Sequence, residues 1–237
     1  MLIVFTDLDR CLLDENYRFD TALGAVNKLL DQKHRLIINS SKTKAEITHL
    51  LSEMGINIPY IVENGSAIYI PEGFLGMGSA EVVLGCRFQE IERGMEVVRS
   101  HLGPVDSFSS LSVRKLMEVT GLDEEGARRA KMREYSEPFI YPDPLPKGLL
   151  NELSGLGLRI IRGRSFCHLL GNTDKGKATG KFIEMIMGLG IPFRSVAIGD
   201  GPNDIGMLDL VDIPFLTQTG PSGWKDFVTK LLEMDHG

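Results

Sequence analysis

Three short polar clusters stand where apolar runs stop: Asp7-Leu8-Asp9, Ser40-Ser41-Lys42 and Gly199-Asp200-Gly201-Pro202-Asn203-Asp204. Lys175-Gly176 comes shortly before the last of them. A carboxylate such as Asp7 can attack phosphorus and form an acyl-phosphate. A second carboxylate two residues on, Asp9, can protonate a leaving oxygen and then activate water. The Lys175 ammonium and the Ser40 hydroxyl suit the oxygens of a transferring phosphoryl group, where charge must be stabilised. Gathering Asp7, Asp9, Asp200 and Asp204 would be costly without a cation. Such an all-oxygen set suits Mg²⁺, which also keeps waters and phosphate oxygens. The chemistry these residues imply is Mg²⁺-dependent phosphoryl transfer through an aspartyl-phosphate.

The elements that must position them read as an α/β chain. Leu2 to Phe5 and Arg35 to Ile38 are short apolar runs, the pattern of buried parallel strands. Helices follow each, the second with Ile47, Leu50, Leu51 and Met54 on one face and Gly55 as a stop. Tyr60 to Val62 and Ala67 to Ile70 add further strands. Repeated β-α-β order predicts a doubly wound, parallel, Rossmann-like sheet, in which ligands bind at the carboxyl ends of the strands. The series then breaks. Glu81 to Leu84 is strand-like, helices are expected around Ile91 and Met95, over Glu124 to Arg133, and after Pro146. Arg159 to Arg162 and Ser165 to Leu170 form a hairpin pattern around Gly163. Residues 81–170 therefore read as an inserted α+β cap. Residues 1–80 and 171–237 form the core, where a helix opening at Lys175, strands Ser195 to Ile198 and Ile213 to Leu216, and a closing helix resume the sheet.

Bulk properties narrow the class. The chain has 237 residues, 43% of them hydrophobic and 24% charged, and a formal net charge of −6. That is an ordinary globular balance, with no basic face for nucleic acid. No apolar run approaches a membrane span of about 18 residues. Three cysteines, Cys11, Cys86 and Cys167, lack metal-type spacing and fit reduced thiols in a cytoplasm. A monomer or weak homodimer is expected.

Each site residue also has a plainer use. Asp7 and Asp9 could be turn or capping residues, Ser40 an N-cap, Lys175 an exposed first-turn lysine and Asn64-Gly65 only a turn. His168 sits in an apolar strand where packed histidines are usual. Arg133 and Glu137 could pair on a solvated surface. Trp224 and the helix around Met185 and Met187 read as core.

Taken together, Asp7-x-Asp9, Ser40, Lys175 and Gly199-Asp200-x-x-Asn203-Asp204 resemble the four motifs of the haloacid-dehalogenase-like phosphatases, in order and spacing over nearly the whole chain. The resemblance implies Asp7 as nucleophile and metal ligand, and Asp9 as general acid and base whose carbonyl also binds Mg²⁺. It implies Ser40 and Lys175 as phosphate-binding residues, Asp200 as a metal ligand, and Asp204 acting on the metal through water, with Asn203 nearby. More narrowly, Asn39-Ser40-Ser41-Lys42-Thr43 with Glu46, Arg133 to Phe139, and Gly163 to Gly171 resemble mannosyl-3-phosphoglycerate phosphatases. The implied substrate is a small phosphorylated sugar acid. Arg133, Arg162, Arg164 and His168 lie in or beside the matched cap segments, and a glycerate carboxylate would suit an Arg fork there. Glu63 and Glu137 would accept from sugar hydroxyls, Lys42 would help neutralise phosphate or carboxylate, and His168, Asn64 and Asn203 are further candidate substrate contacts. Glucosyl-3-phosphoglycerate, sucrose phosphate, a mutase reaction and a non-catalytic binding module are the alternatives.

One departure stands beside the nucleophile. The family pattern has Gly-Thr after the second aspartate, and this chain has Arg10-Cys11. Glycine there tolerates positive φ. A thiol beside the phosphate site also suggests sensitivity to oxidation.

Overall fold

The computed structural model describes residues 1–141 and 144–235. β1 (Leu2–Thr6) is buried along its whole length. α1 (Asp20–Asp31), β2 (Arg35–Asn39), α2 (Lys44–Met54) and β3 (Tyr60–Val62) follow, then β4 (Ala67–Ile70) and β5 (Ala80–Val83). The middle of the chain holds α3 (Phe88–Leu102), α4 (Val113–Thr120), α5 (Glu124–Ala130), β6 (Ser136–Phe139), α6 (Lys147–Gly155), β7 (Leu158–Arg162) and β8 (Cys167–Gly171). It ends with α7 (Lys175–Met187), β9 (Arg194–Gly199), α8 (Ile205–Leu208), β10 (Ile213–Leu216) and α9 (Gly220–Asp235).

Strands pair in the order β10-β9-β1-β2-β3-β4-β5 in a seven-stranded sheet, and β6-β8-β7 in a three-stranded one. β10, β9, β1, β2 and β3 are parallel, and β4 pairs antiparallel with both β3 and β5. Strand alternation gives the large sheet two faces. Leu2 and Val4 pack with Val26 and Leu29 of α1, Ile47 of α2 and Trp224 of α9. Ile3 and Phe5 pack on the other face with Ala178, Phe182 and Ile186 of α7. The smaller sheet has its own apolar layer, in which Phe139, Cys167 and Leu169 meet Ile91 and Met95 of α3 and Leu149 and Leu153 of α6.

Several expectations change. β5 belongs to the large sheet, not to the insert, because the short connection from β4 lets the two strands pair side by side. The helix expected through Arg133 stops at Ala130. Lys131 leaves it to donate from Nζ to the carbonyl oxygens of Phe108, Ser109 and Leu111. α4, not anticipated, has Ser112 as a side-chain cap and Gly121 in the left-handed region. Met187 is 65% exposed instead of core, whereas Trp224 is buried.

Candidate active site

The parallel strands β1, β2 and β9 end side by side, which brings the polar clusters together. The Asp7 N–H donates to the Ile198 carbonyl at 2.9 Å, tying the loop after β1 to β9. Trp224 Nε1 donates to Thr6 Oγ1 at 2.9 Å and holds the same loop from α9. Beneath it Lys175, 0% exposed, opens α7. Its Nζ lies 2.7 Å from Asp7 Oδ1 and 2.6 Å from Asp204 Oδ1. Asp204 Oδ2 accepts the N–H groups of Asp200 at 3.0 Å and Gly201 at 2.9 Å. That turn requires glycine at 199, since a Cβ there would lie 2.4 Å from the Asp204 Cβ. Gly176 is equally constrained: a Cβ would stand 2.7 Å from the backbone of Gly206, so α7 could not start where Lys175 needs it.

Burial dominates the electrostatics of this floor. It pushes the Asp7 carboxyl up to about 7, with Lys175 opposing and Asp204 and Asp9 adding to the rise. Burial alone would lower Lys175, but Asp204 and Asp7 outweigh it and hold the ammonium above the ordinary lysine range. Asp200 is raised by burial and by Asp204, with Arg164 opposing. Asp7, Asp200 and Asp204 each bring a carboxylate oxygen within 4.8 Å of the others. An oxygen-only donor set, with two carboxyls that burial and neighbouring carboxylates raise, fits Mg²⁺. Asp7 pairs through Oδ1 with Lys175 and Asp200 through Oδ2 with Arg164, so each has its other oxygen for a cation. Both oxygens of Asp204 already have partners, so its direct effect falls on Lys175 and the 199–201 turn.

Ser40 is buried with its Oγ accepting the Lys42 N–H at 3.3 Å. It does not cap α2. Thr43 does, in a capping box with Glu46, which leaves Ser40 to the site. Asp9 stands at the rim, its side chain 38% exposed and 3.0 Å from Lys42 Nζ. Arg10 takes φ 56°, so the left-handed turn survives without glycine. Cys11 is fully buried and donates to the Ile198 carbonyl at 3.6 Å. Burial, then Asp7, push its thiol well up. A fully buried thiol is shielded from oxidants, which runs against the oxidation sensitivity expected from its position.

Above the floor lies a cavity of about 360 Å³ whose wall includes Arg133, Arg164, His168 and Lys42. Arg164, on the β7–β8 loop, reaches down to Asp200 at 3.3 Å. His168 is buried; burial and then Arg133 lower it to about 3, so the imidazole is neutral. Arg133 Nη2 donates to the Ser41 carbonyl at 2.6 Å and its Nε lies 3.3 Å from Glu63.

Not every expected contact is at the cavity. Glu63 is spent on Arg133, the N–H groups of Glu134 and Tyr135, and the Ser136 hydroxyl; it fastens β6 to the large sheet. Arg133 and Glu137 do not pair with each other. Glu137 pairs across the ladder with Leu169, on the face of the small sheet opposite Pro138 and His168, and accepts from the Ser109 N–H at 2.7 Å. It therefore faces the helices. Asn64 is buried and accepts from Asn203 at 3.1 Å, and of the two only Asn203 reaches the wall. Conversely, Tyr17 and Glu46 line the cavity without having been singled out as site residues. The i, i+4 spacing of Lys42 and Glu46 was the available signal for the second; nothing local marked Tyr17.

A profile described as haloacid dehalogenase-like hydrolase matches residues 4–75. A glucosyl-3-phosphoglycerate/mannosyl-3-phosphoglycerate phosphatase from Methanococcoides burtonii is 34% identical, covering 99% of this chain and 90% of its own. The chain belongs to the haloacid dehalogenase-like hydrolases. A mannosyl-3-phosphoglycerate phosphatase from Pyrococcus furiosus is 32% identical over 90% of each chain. A solved structure from Thermoplasma acidophilum shares the fold, with a TM-score of 0.70 at 17% identity over 99% of both chains. With relatives of these names, this haloacid dehalogenase-like hydrolase is a phosphomonoesterase.

Proposed function

We propose that the enzyme hydrolyses a glycosyl-3-phosphoglycerate, mannosyl-3-phosphoglycerate first, to the glycosylglycerate and phosphate. The observation carrying this is the two-sided cavity: a nucleophile and buried lysine on the floor, and Arg164, Arg133 and a neutral imidazole on the wall. Such a wall suits a carboxylate and neutral hydroxyls. The names of the relatives from M. burtonii and Persephonella marina make the glucosyl ester the second candidate.

In the proposed reaction Lys175 holds Asp7 Oδ1, leaving Oδ2 to attack phosphorus. The third Lys175 N–H and the Ser40 hydroxyl hold phosphoryl oxygens. As the P–O ester bond breaks, Asp9 gives its proton to the glycerate oxygen. The ionised Asp9 then takes a proton from water, whose oxygen attacks phosphorus and frees Asp7 and phosphate. Mg²⁺, held by Asp7, Asp200 and the Asp9 carbonyl, would supply charge neutralisation at the phosphoryl oxygens.

Residues from about 84 to 170 act as the cap in this scheme. Cys11 and Cys86 are in no disulfide, which suits a reducing cytoplasm. Among the described residues no helix is long and apolar enough to cross a membrane. Phosphate release from mannosyl- and glucosyl-3-phosphoglycerate and sucrose phosphate, with and without Mg²⁺, tests the reading. Turnover of a glycosyl-3-phosphoglycerate, abolished by chelation, is expected. Preference for sucrose phosphate would overturn the substrate, and chelator-resistant turnover the metal.

A further inference from the structure

Tyr17 belongs to the core but touches the cap. Asp14 folds the preceding turn, its Oδ1 accepting the N–H groups of Asn16 at 2.8 Å and Arg18 at 2.9 Å. The turn sets Tyr17 at φ 60°, a left-handed conformation that residues with side chains seldom adopt. Its hydroxyl donates to the carbonyl of Thr120, the last residue of α4, at 2.7 Å. Its ring carries the Lys42 ammonium 4.5 Å from the centroid, within cation–π range. Lys42 Nζ is in turn 3.0 Å from Asp9 Oδ1 and 3.4 Å from Glu46 Oε1. Glu46 cannot drift, because its other oxygen accepts from the Thr43 N–H at 2.8 Å.

These contacts form one chain from the cap to the rim carboxylate. Lys42 is seated by Glu46 below and the Tyr17 ring beside it, and it fixes the direction of the Asp9 carboxylate. The Tyr17 ring stays over Lys42 when its hydroxyl has a partner, and that partner is on the cap.

We propose that Tyr17 and Lys42 are positioning residues that make the placement of Asp9 depend on the docking of α4. The inference rests on Asp9 being the general acid of the proposed reaction. Acid placement is then complete only when the cap is seated over the substrate, so that an ester is cleaved with water excluded. Misplacement of a catalytic group by about 1 Å can lower turnover by up to about a hundredfold.

The test compares kcat for two esters: the alkyl phosphate turned over fastest in the substrate panel, and p-nitrophenyl phosphate, whose phenolate leaves without needing a proton. Asp9→Asn calibrates the split, and Tyr17→Phe removes the hydroxyl while keeping the ring. Lys42→Met removes the link to Asp9, and Lys42→Arg restores a cation. For Tyr17→Phe and Lys42→Met, kcat on the alkyl ester should fall at least about tenfold further than on the aryl ester. Lys42→Arg should recover part of that ratio. Adding Tyr17→Phe to Asp9→Asn should cost less than about twofold on the alkyl ester, as expected of residues acting through one group. Equal losses on both esters, or an effect confined to KM, would overturn the proposal. If Asp9→Asn shows the split and Tyr17→Phe does not, only this inference fails. If Asp9→Asn shows none, the acid assignment fails and this inference with it.

Discussion

The floor and the wall of the cavity are built on different terms. On the floor, Lys175 and Asp204 are fully buried, Asp7 nearly so, and each is held by at least one partner at 2.7 Å or less. On the wall, Arg164 has a side chain 55% exposed and an ion pair to Asp200. The floor residues come from strand ends and a helix start inside the main sheet, where backbone and side chain are pinned together. Of the wall residues, His168 and Arg164 come from the smaller sheet and its β7–β8 loop, Arg133 from the segment before β6 and Lys42 from the loop after β2. Bond breaking needs groups held to a fraction of an ångström, and a buried charge network supplies that. Substrate choice needs groups whose desolvation cost is small until the ligand arrives. Stability and chemistry should therefore fail together on the floor and separately at the exposed Arg164.

Lys175→Met should give the largest effect. It leaves Asp7 and Asp204 buried without their cation, costing about 3–5 kcal/mol of stability. Turnover should fall by about 10³-fold or more. Urea unfolding and steady-state kinetics read the two losses. A variant of normal stability would show that the floor is not the coupled network described.

The next effect comes from pH. His168 binds a proton more weakly folded, at about 3, than unfolded, near its ordinary 6.5. Its contribution to stability is complete above about pH 6.5 and is lost as pH falls toward 3. Between pH 6.5 and 5 this amounts to about 1–2 kcal/mol. Asp7, raised to about 7, acts in the opposite direction, favouring the folded state as pH falls through that value. The difference between wild type and His168→Gln removes that common term. The urea midpoint of the variant should therefore fall less on acidification than that of the wild type. Parallel midpoints would place a charged imidazole in the wall.

Arg164→Ala should separate function from stability. The half-exposed side chain should contribute within about 0.5 kcal/mol to folding. KM for the carboxylate-bearing substrate should rise about tenfold, as for one charge-assisted hydrogen bond. A loss of kcat alone would assign Arg164 to the floor chemistry.

The smallest effect is expected at Arg10→Gly. Relief of the left-handed residue, about 1–2 kcal/mol, is offset by about 0.5–1 kcal/mol of glycine entropy. A net gain of about 0.5 kcal/mol in urea unfolding is expected. A net loss would mean that the Arg10 side chain stabilises the rim.

Legibility followed the same division. The strands carrying Asp7, Ser40 and Asp200 were readable because apolar runs ending in polar residues are local patterns. Gly55 marks the end of α2 in the sequence and takes φ 67° in the fold. Glu63 and Glu137 lie off the cavity wall, one latched to Arg133 and one on the far face of the small sheet. A carboxylate in a matching segment is compatible with a ligand, with a latch to Arg133, or with the far face of a sheet. A one-residue change of face decides among them.

From its sequence alone the chain determined the α/β core, the helix start at Lys175 and the residue types of the floor, because backbone periodicity and strand-end chemistry are written over a few consecutive residues. Tertiary structure decided that Lys175 bridges Asp7 and Asp204, that Glu63 clamps Arg133, and that Tyr17 meets Thr120. Those pairs lie 29 to 168 residues apart in the chain. The two Lys175 pairs depend on strand order in the large sheet and the other two on how the middle of the chain docks on it, which no local pattern records.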